Sequence, residues 1–498
     1  MKSKFIFFIG FVLFIVAAIC SDGYFHPDEH FQLLEFANYK MGGIPGEHLP
    51  WEFDEQMRPT FQVLIVYGLC QFMKTGGFFD PYTASMILRL FTAVMMFYVL
   101  YFFYNRYKNQ LNSTKGIWWF AALTFLLWYI PFVSVRYSSE SFGTIFMLAA
   151  LLLYDVPDKQ KGNILNSILI GLFLGVSFIS RFQMGFMIFG FGAWVLFIKR
   201  EKLSIILSML VGFVLMVGIG QLCDYWFYGS WVSSAYNYFY QNLVENKAAG
   251  FGVSPWWYYA SLTPALVFPL LGIIIVPAFI YFFIKYPKHI FTWLLIPFLV
   301  IHHAIGHKEL RFLFAVTPFI PFIIIIVLER VKWMKYLKFF KYVFWIINIP
   351  ALFIMSIKPA YDNMEMFKYI YRHQPKSQVY YIRNTMPFMM YQFELTNKPF
   401  VKAKDLKLAF FHQPGFHPNP IDTLSSLIDT VRNSSEPIIF AVRTPHFIEL
   451  YKQQFAEAQI NCKVVYYTYH TWLWPINYYH WINRDDVGAW TVVELSKK

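Results

Sequence analysis

Residues 24–32 read YFHPDEHFQ, placing two carboxylates between two imidazoles directly after an apolar run that ends at Cys20. Three chemistries fit these residue types. Pro27 followed by Asp28 and Glu29 suits the first turn of a helix, where proline gives up no needed N–H and acids meet the positive end of the helix dipole. His26, Glu29 and His30 also match the H-x-x-E-H spacing of inverted zinc proteases. That reading needs both histidines on one helical face, and the proline after His26 pushes it away from helical dihedrals. Thirdly, a carboxylate held at a membrane surface is placed to take the proton of an incoming hydroxyl.

A second polar stretch, HKELRFL at 307–313, gathers cations. At a helix start, Lys308 and Arg311 would lie three apart and His307 and Arg311 four apart, so that all three converge on one anion. An ion-pair cluster around Glu309 would use the same residues. An acidic and a basic cluster at one membrane face together point to a donor–acceptor site more strongly than either does alone.

The elements that must position these residues are membrane spans. Of 498 residues, 57% are hydrophobic and only 14% charged, with 57 Phe, 34 Tyr and 16 Trp, which places the chain among polytopic membrane proteins. Spans are expected near 4–20, 84–104, 116–134, 139–154, 164–180, 182–198, 204–222, 258–284, 290–304, 312–328 and 341–357, about eleven in all. Residues 1–20 imitate a signal peptide, but Ile19 is too large for a lipoprotein cleavage box at Cys20, so an uncleaved first span is expected.

With a cytoplasmic N-terminus, the inside connections carry roughly 17 Lys and Arg, and the outside loops before residue 358 about half as many. YFHPDEHFQ, VRYSSES, SRFQ, CDYWFYGSW and HHAIGHKELRF then all fall outside. The net charge of +13 follows this loop asymmetry and forms no basic stripe on a soluble fold, so no nucleic acid partner is expected. Cys20, Cys70, Cys223 and Cys462 stand apart, without metal-ligand or disulfide spacing.

From residue 358 the pattern changes to polar–apolar alternation in SQVYYIRN, KPFVKAK, PIIFAVRT and KVVYYTYH, with HFIELYKQQFAEAQ helical, as in a small outward-facing α/β domain. The expected organisation is therefore a membrane domain over 1–357, with a first outer loop at 21–83, and an extracytoplasmic α/β domain over 358–498. Proton-coupled transport is the rival function for a chain with membrane-edge acids. It would call for inverted repeats and interrupted helices at mid-membrane, which the sequence does not show.

HPDEHFQ after the first span, with HKELRF late in the membrane domain, resembles glycosyltransferase family 22, the Alg9-like mannosyltransferases of GT-C fold that use polyprenyl- or dolichyl-phosphate mannose. The resemblance extends through PWEF at 50–53 with Arg58, VRYSSES at 135–141, CDYWFYGSWVSSAYNYFYQN at 223–242 and SPWWYY at 254–259, and is absent from the last 140 or so residues. It departs from the family at RYSSES, at Arg58-Pro59 and at CDYWFYG, all on the acceptor side.

The resemblance implies an inverting transferase that moves a sugar, mannose foremost, from a polyprenyl- or dolichyl-phosphate carrier to a hydroxyl of a glycolipid or lipid-linked glycan at the outer or lumenal face. Arabinose or aminoarabinose is the alternative cargo. Under this reading Asp28 is the general base and Glu29 its neighbour in orienting base or acceptor. His307, Lys308 and Arg311 hold the leaving phosphate, so neither metal nor other cofactor is expected. His26, His30, Trp51, Glu52, Arg58, Arg136 and Glu309 are the expected substrate-contacting positions. Arg136 and Arg181, at outer span ends, suit phosphate placement or snorkelling alike. Membrane lipid is the remaining partner, and a bacterial inner membrane or the endoplasmic reticulum the expected location.

Overall fold

The computed structural model describes residues 2–155, 163–266, 269–335, 337–360, 363–374, 378–382, 419–444, 447–468 and 490–498. Among these, five helices have the length and apolarity to cross a membrane: Pro81–Gln110, Phe182–Lys199, Leu203–Tyr228, Leu310–Arg330 and Phe340–Ile357. Five shorter apolar helices accompany them, Lys4–Cys20, Ser139–Tyr154, Ile164–Ser180, Leu271–Lys285 and Ile290–Ala304.

One of the expected stretches is divided. The 116–134 stretch breaks where Leu127 turns extended after the Thr114–Leu126 helix, and a short helix, Ile130–Ser134, restarts with Pro131 in its first turn. Within 258–284 the described residues are helical over Tyr258–Leu266 and Pro269–Lys285.

The chain forms two compact units, and their make-up is not a simple cut of the sequence. The first comprises Met1–Ser21, Glu55–Leu69 and Ser85–Lys358; the second comprises Asp22–Asp54, Cys70–Ala84 and Pro359–Lys498.

The first unit is a helical bundle cored by interlocked aromatics such as Phe103, Phe120, Phe291, Phe319 and Phe322. Leu310–Arg330 is central, with 72% of its apolar window buried, whereas Leu203–Tyr228 buries only 28% and turns the rest outward. Apolar faces gain nothing from one another when lipid is the alternative, so backbone proximity and small residues decide the packing. A Cβ on Gly171 would stand 1.9 Å from the Met209 carbonyl oxygen, and one on Gly212 2.1 Å from that of Ile168. These glycines let Ile164–Ser180 and Leu203–Tyr228 meet backbone to backbone.

In the second unit a five-stranded mixed sheet has the order β2-β1-β3-β5-β4. Its strands are β1 (Val379–Ile382), β2 (Asn419–Ile421), β3 (Ile438–Arg443), β4 (Ile460–Tyr467) and β5 (Trp490–Lys497). β1 pairs parallel with β2 and β3, and β5 pairs antiparallel with β3 and β4. KPFVKAK, expected as a strand, lies outside the described residues.

The period-two alternation of β3 sorts Ile438, Phe440 and Val442 to one face and Ile439 and Ala441 to the other. The first face packs on the Leu424–Asn433 helix and Phe455. The second packs on Met364, Phe367 and Ile370 of the Asn363–His373 helix, and also on Tyr24, Phe31 and Tyr82. The segment carrying the first acidic motif is thus part of the core of this sheet.

Candidate active site

The cationic cluster of the first unit is built on a break in regular structure. Ile290–Ala304 ends where Ile305 becomes extended, Glu309 is extended too (φ −128°, ψ 144°), and a 3₁₀ helix then runs from Leu310 to Phe319. The expected helical turn over His307–Arg311 is therefore corrected. Extended backbone at Glu309 abolishes the three- and four-residue spacing, and the side chains meet through carboxylates instead.

Glu309 accepts from His307 Nε2 at 2.8 Å and from Arg311 Nε. Arg311 Nη1 reaches Glu140 Oε1 at 3.2 Å, and Arg181 Nη1 reaches the same oxygen at 2.7 Å. Arg181 also donates to Ser139 Oγ at 3.0 Å. Both guanidiniums lie over the Phe312 ring, 5.3 and 5.2 Å from its centroid, a cation–π arrangement that fixes their planes.

Glu140 occupies the first turn of Ser139–Tyr154, whose N-cap Ser138 accepts from the Ser141 N–H. Sequence reading passed over it. Its signal was there: a carboxylate just inside an apolar helix is costly unless paired.

The surroundings of His307 favour its cationic form. Its Nε2 faces the Glu309 carboxylate and its Nδ1 the Gly252 carbonyl at 3.0 Å, two acceptors that require a proton on each nitrogen. The hydrogen bond to Glu309 accordingly raises its pKa above the ordinary 6.5, against the opposing effect of burial. Lys308 is buried and donates to the Ile305 carbonyl; burial draws its pKa below the ordinary lysine value. Among the described contacts, four basic side chains (Arg181, His307, Lys308, Arg311) gather with two carboxylates (Glu140, Glu309), a base-rich cluster suited to an anion such as a phosphate ester.

Two further expected residues of this unit have other surroundings. Arg136 is 1% exposed, donates to the Ser21 carbonyl at 2.8 Å and stands over Phe132. Arg58 stacks over Tyr238 at 5.5 Å, and its carbonyl accepts from the Tyr228 hydroxyl.

The acidic motif belongs to the second unit, and its local structure follows the helix-start chemistry. His26 is the N-cap, with Nδ1 accepting from the Asp28 N–H at 3.3 Å, and Pro27 takes the first helical position. Asp28 is buried, with His26 Nδ1 3.4 Å from its Oδ1, while Glu29 is half-buried. The helix continues through a π turn, His30–Leu34, in which the Glu35 N–H reaches back five residues to the His30 carbonyl, and then through Glu35–Lys40.

His30 turns inward, its Nε2 2.6 Å from Glu35 Oε1, and Glu35 Oε2 accepts from Asn38 at 3.0 Å. Glu52, in the short helix Trp51–Asp54, is buried and accepts from Gln32 at 3.3 Å; its neighbour Trp51 is half-buried. His26, Asp28, Glu29, His30, Trp51 and Glu52 therefore share one unit, and Arg58, Arg136, His307, Lys308, Glu309 and Arg311 the other.

Comparison with known proteins gives a consistent picture. The model of the Alg9-like mannosyltransferase family matches residues 5–391. A GPI alpha-1,2-mannosyltransferase 3 of Bos taurus is 26% identical over 62% of this chain and 57% of its own length. Mannosyltransferase APTG1 of Arabidopsis thaliana is 24% identical over 61% of this chain and 55% of its own. The chain thus spans a little over half the length of these curated relatives. Among solved structures, ArnT from Cupriavidus metallidurans bound to undecaprenyl phosphate superposes with a TM-score of 0.53 at 9% identity, covering 99% of this chain and 97% of that one, a likeness of fold.

Proposed function

The chain belongs to the Alg9-like mannosyltransferase family, and from that premise we propose that it transfers mannose, with inversion at C1, from a polyprenyl- or dolichyl-phosphate carrier to a hydroxyl of a glycolipid of the glycosylphosphatidylinositol type. The observation that supports this reading best is the base-rich cluster around Glu140 and Glu309. A carrier monophosphate gains charge as the C1–O bond breaks, and prearranged guanidinium and ammonium groups stabilise that charge without reorganising.

The step balances simply. The acceptor oxygen bonds to C1, the electron pair of the C1–O bond passes to the phosphate oxygen, and the acceptor proton goes to a carboxylate. Asp28 is assigned that proton, with Glu29 beside it in sequence and His26 capping its turn. Lys308 and Arg311 are assigned the leaving phosphate. The lumenal face of the endoplasmic reticulum suits the eukaryotic relatives, and the outer face of a bacterial inner membrane would present the same donor geometry.

The test is transfer by the full chain in detergent with polyprenyl-phosphate mannose and a mixed glycolipid acceptor pool, in EDTA, comparing wild type with Asp28→Asn and Arg311→Ala. Activity in wild type with a fall of roughly 100-fold or more in Asp28→Asn is expected for loss of a general base. Full activity in Asp28→Asn would overturn its assignment. Abolition of wild-type transfer by EDTA would overturn the metal-free mechanism, and no mannose transfer under any metal condition would overturn the donor assignment.

A further inference from the structure

Residues 229–257 of the first unit form a strap with an inverted polarity. It leaves the span-length helix Leu203–Tyr228 at Gly229, which is left-handed (φ 76°), and passes through Ser234–Phe239, the π turn Tyr240–Val244 and the 3₁₀ turn Lys247–Phe251.

Three of its polar side chains reach inward, while Ser230, Ser233 and Asn246 are exposed. Asn237 Nδ2 donates to the carbonyls of Glu55 and Gln56 at 3.1 and 3.3 Å, Gln241 Nε2 to Glu55 Oε2 at 2.7 Å, and Lys247 Nζ reaches Glu55 Oε1 at 2.6 Å. Its apolar side chains point outward: Trp231, Tyr236, Leu243, Val244, Val253 and Trp256 are between 56% and 71% exposed. Glu245 is the exposed charge among them.

A surface with amides inside and aromatics outside is the reverse of what water selects. It adjoins the exposed apolar side of Leu203–Tyr228, where Val214, Ile219, Leu222 and Tyr225 face outward and Tyr225 stacks on Trp231. Trp and Tyr concentrate at the headgroup level of bilayers, where an isolated charge such as Glu245 is also tolerated.

The far end of the strap is fastened to the cationic cluster. Gly252, at φ 111°, offers its carbonyl to His307 Nδ1, and the Ser254 N–H donates to the Gly306 carbonyl at 2.9 Å. We propose that this strap rests its outward face in the headgroup layer of the bilayer and, through Gly252 and Ser254, lets lipid contact set the pose of the 305–309 loop. The partner is the lipid surface itself, and the inference stands independently of which sugar is transferred.

Spin labels test both halves without an activity readout. In a chain with Cys20 and Cys462 replaced by alanine and the buried Cys70 and Cys223 retained, single cysteines are placed at Val244, Trp256 and the exposed Ser425, and the protein is reconstituted in phosphatidylcholine vesicles. Labels at 244 and 256 should be more accessible to oxygen than to a nickel chelate, at a depth of about 5–10 Å, with Ser425 showing the aqueous pattern. The aqueous pattern at 244 and 256 would overturn the lipid contact. For the coupling, a label at the exposed Ala304 should gain mobility when Val253→Asp is introduced in vesicles. An unchanged spectrum, with the label at 244 still at its original depth or not, would overturn the link to the loop.

Discussion

At the scale of single residues, the protonation of His307 is the most informative property of the cationic cluster. Its pKa is raised by Glu309, so the charge and the attraction it supplies are fully present below the ordinary 6.5 and are lost only as pH rises through the higher folded value. Donor affinity should therefore decline as pH rises, and at a higher pH than an ordinary imidazole would impose. Glu309→Gln withdraws the carboxylate that holds the proton, so the alkaline limb of kcat/KM should move to lower pH, whereas Glu309→Asp should move it less. A profile that stays in place in Glu309→Gln would show that another group controls it. The place of Glu140 just inside an apolar helix marked it as paired, but its partners, Arg181 and Arg311, are brought to it by separate elements and only the fold makes them neighbours. The helix start at Pro27 was legible, since proline and two acids act on their own turn. The helical spacing expected for His307–Arg311 was not realised because one extended residue, Glu309, resets the phase.

At the scale of elements, apolar runs marked the five span-length helices because a run of that length has no other inexpensive environment. Breaks within runs were harder to read. Leu127 turns extended inside an apolar stretch without any polar marker, and the tight pairing of Ile164–Ser180 with Leu203–Tyr228 is written only in glycines. That pairing makes a firm prediction. Gly171→Ala places a methyl against the Met209 backbone, which cannot swing aside as a side chain would, so the helices must part. Overpacking of this kind costs about 1–3 kcal/mol, to be read as a lowered unfolding midpoint in detergent. Gly218→Ala, on the partner helix Leu203–Tyr228 with open space at its Cβ, should leave the midpoint unchanged.

At the scale of the molecule, residues past 358 hold the segment that carries the acidic motif. Lys368 pairs with Asp22, Arg372 forks onto Asp80 with both contacts at 3.1 Å, and the Ala360 N–H donates to the Asp22 carbonyl, so that the segment bearing Asp28 is tied to residues past 358. Fully buried Trp490, in β5, belongs to the same core cluster as Tyr24 and Phe31. Trp490→Ala should destabilise this unit by about 3–5 kcal/mol, measured by denaturant unfolding of the full chain followed by circular dichroism. It should also depress transfer although Trp490 contributes no chemistry. A stable, fully active variant would separate the sheet from the support of Asp28.

The π turn at His30–Leu34 has a consequence for how this segment tolerates change over generations. It holds one residue more than an α turn would, so the acids before it and Glu35 behind it are out of register by about 100° relative to a regular helix. Exchanging a side chain there leaves that register intact. Losing a single codon would not: the turn would close to an ordinary one, and Asp28 would be rotated by about a quarter of the helix circumference while every motif residue remained present. Length between residues 30 and 35 thus sets the bearing of Asp28 in its own right, separately from the letters that fill it.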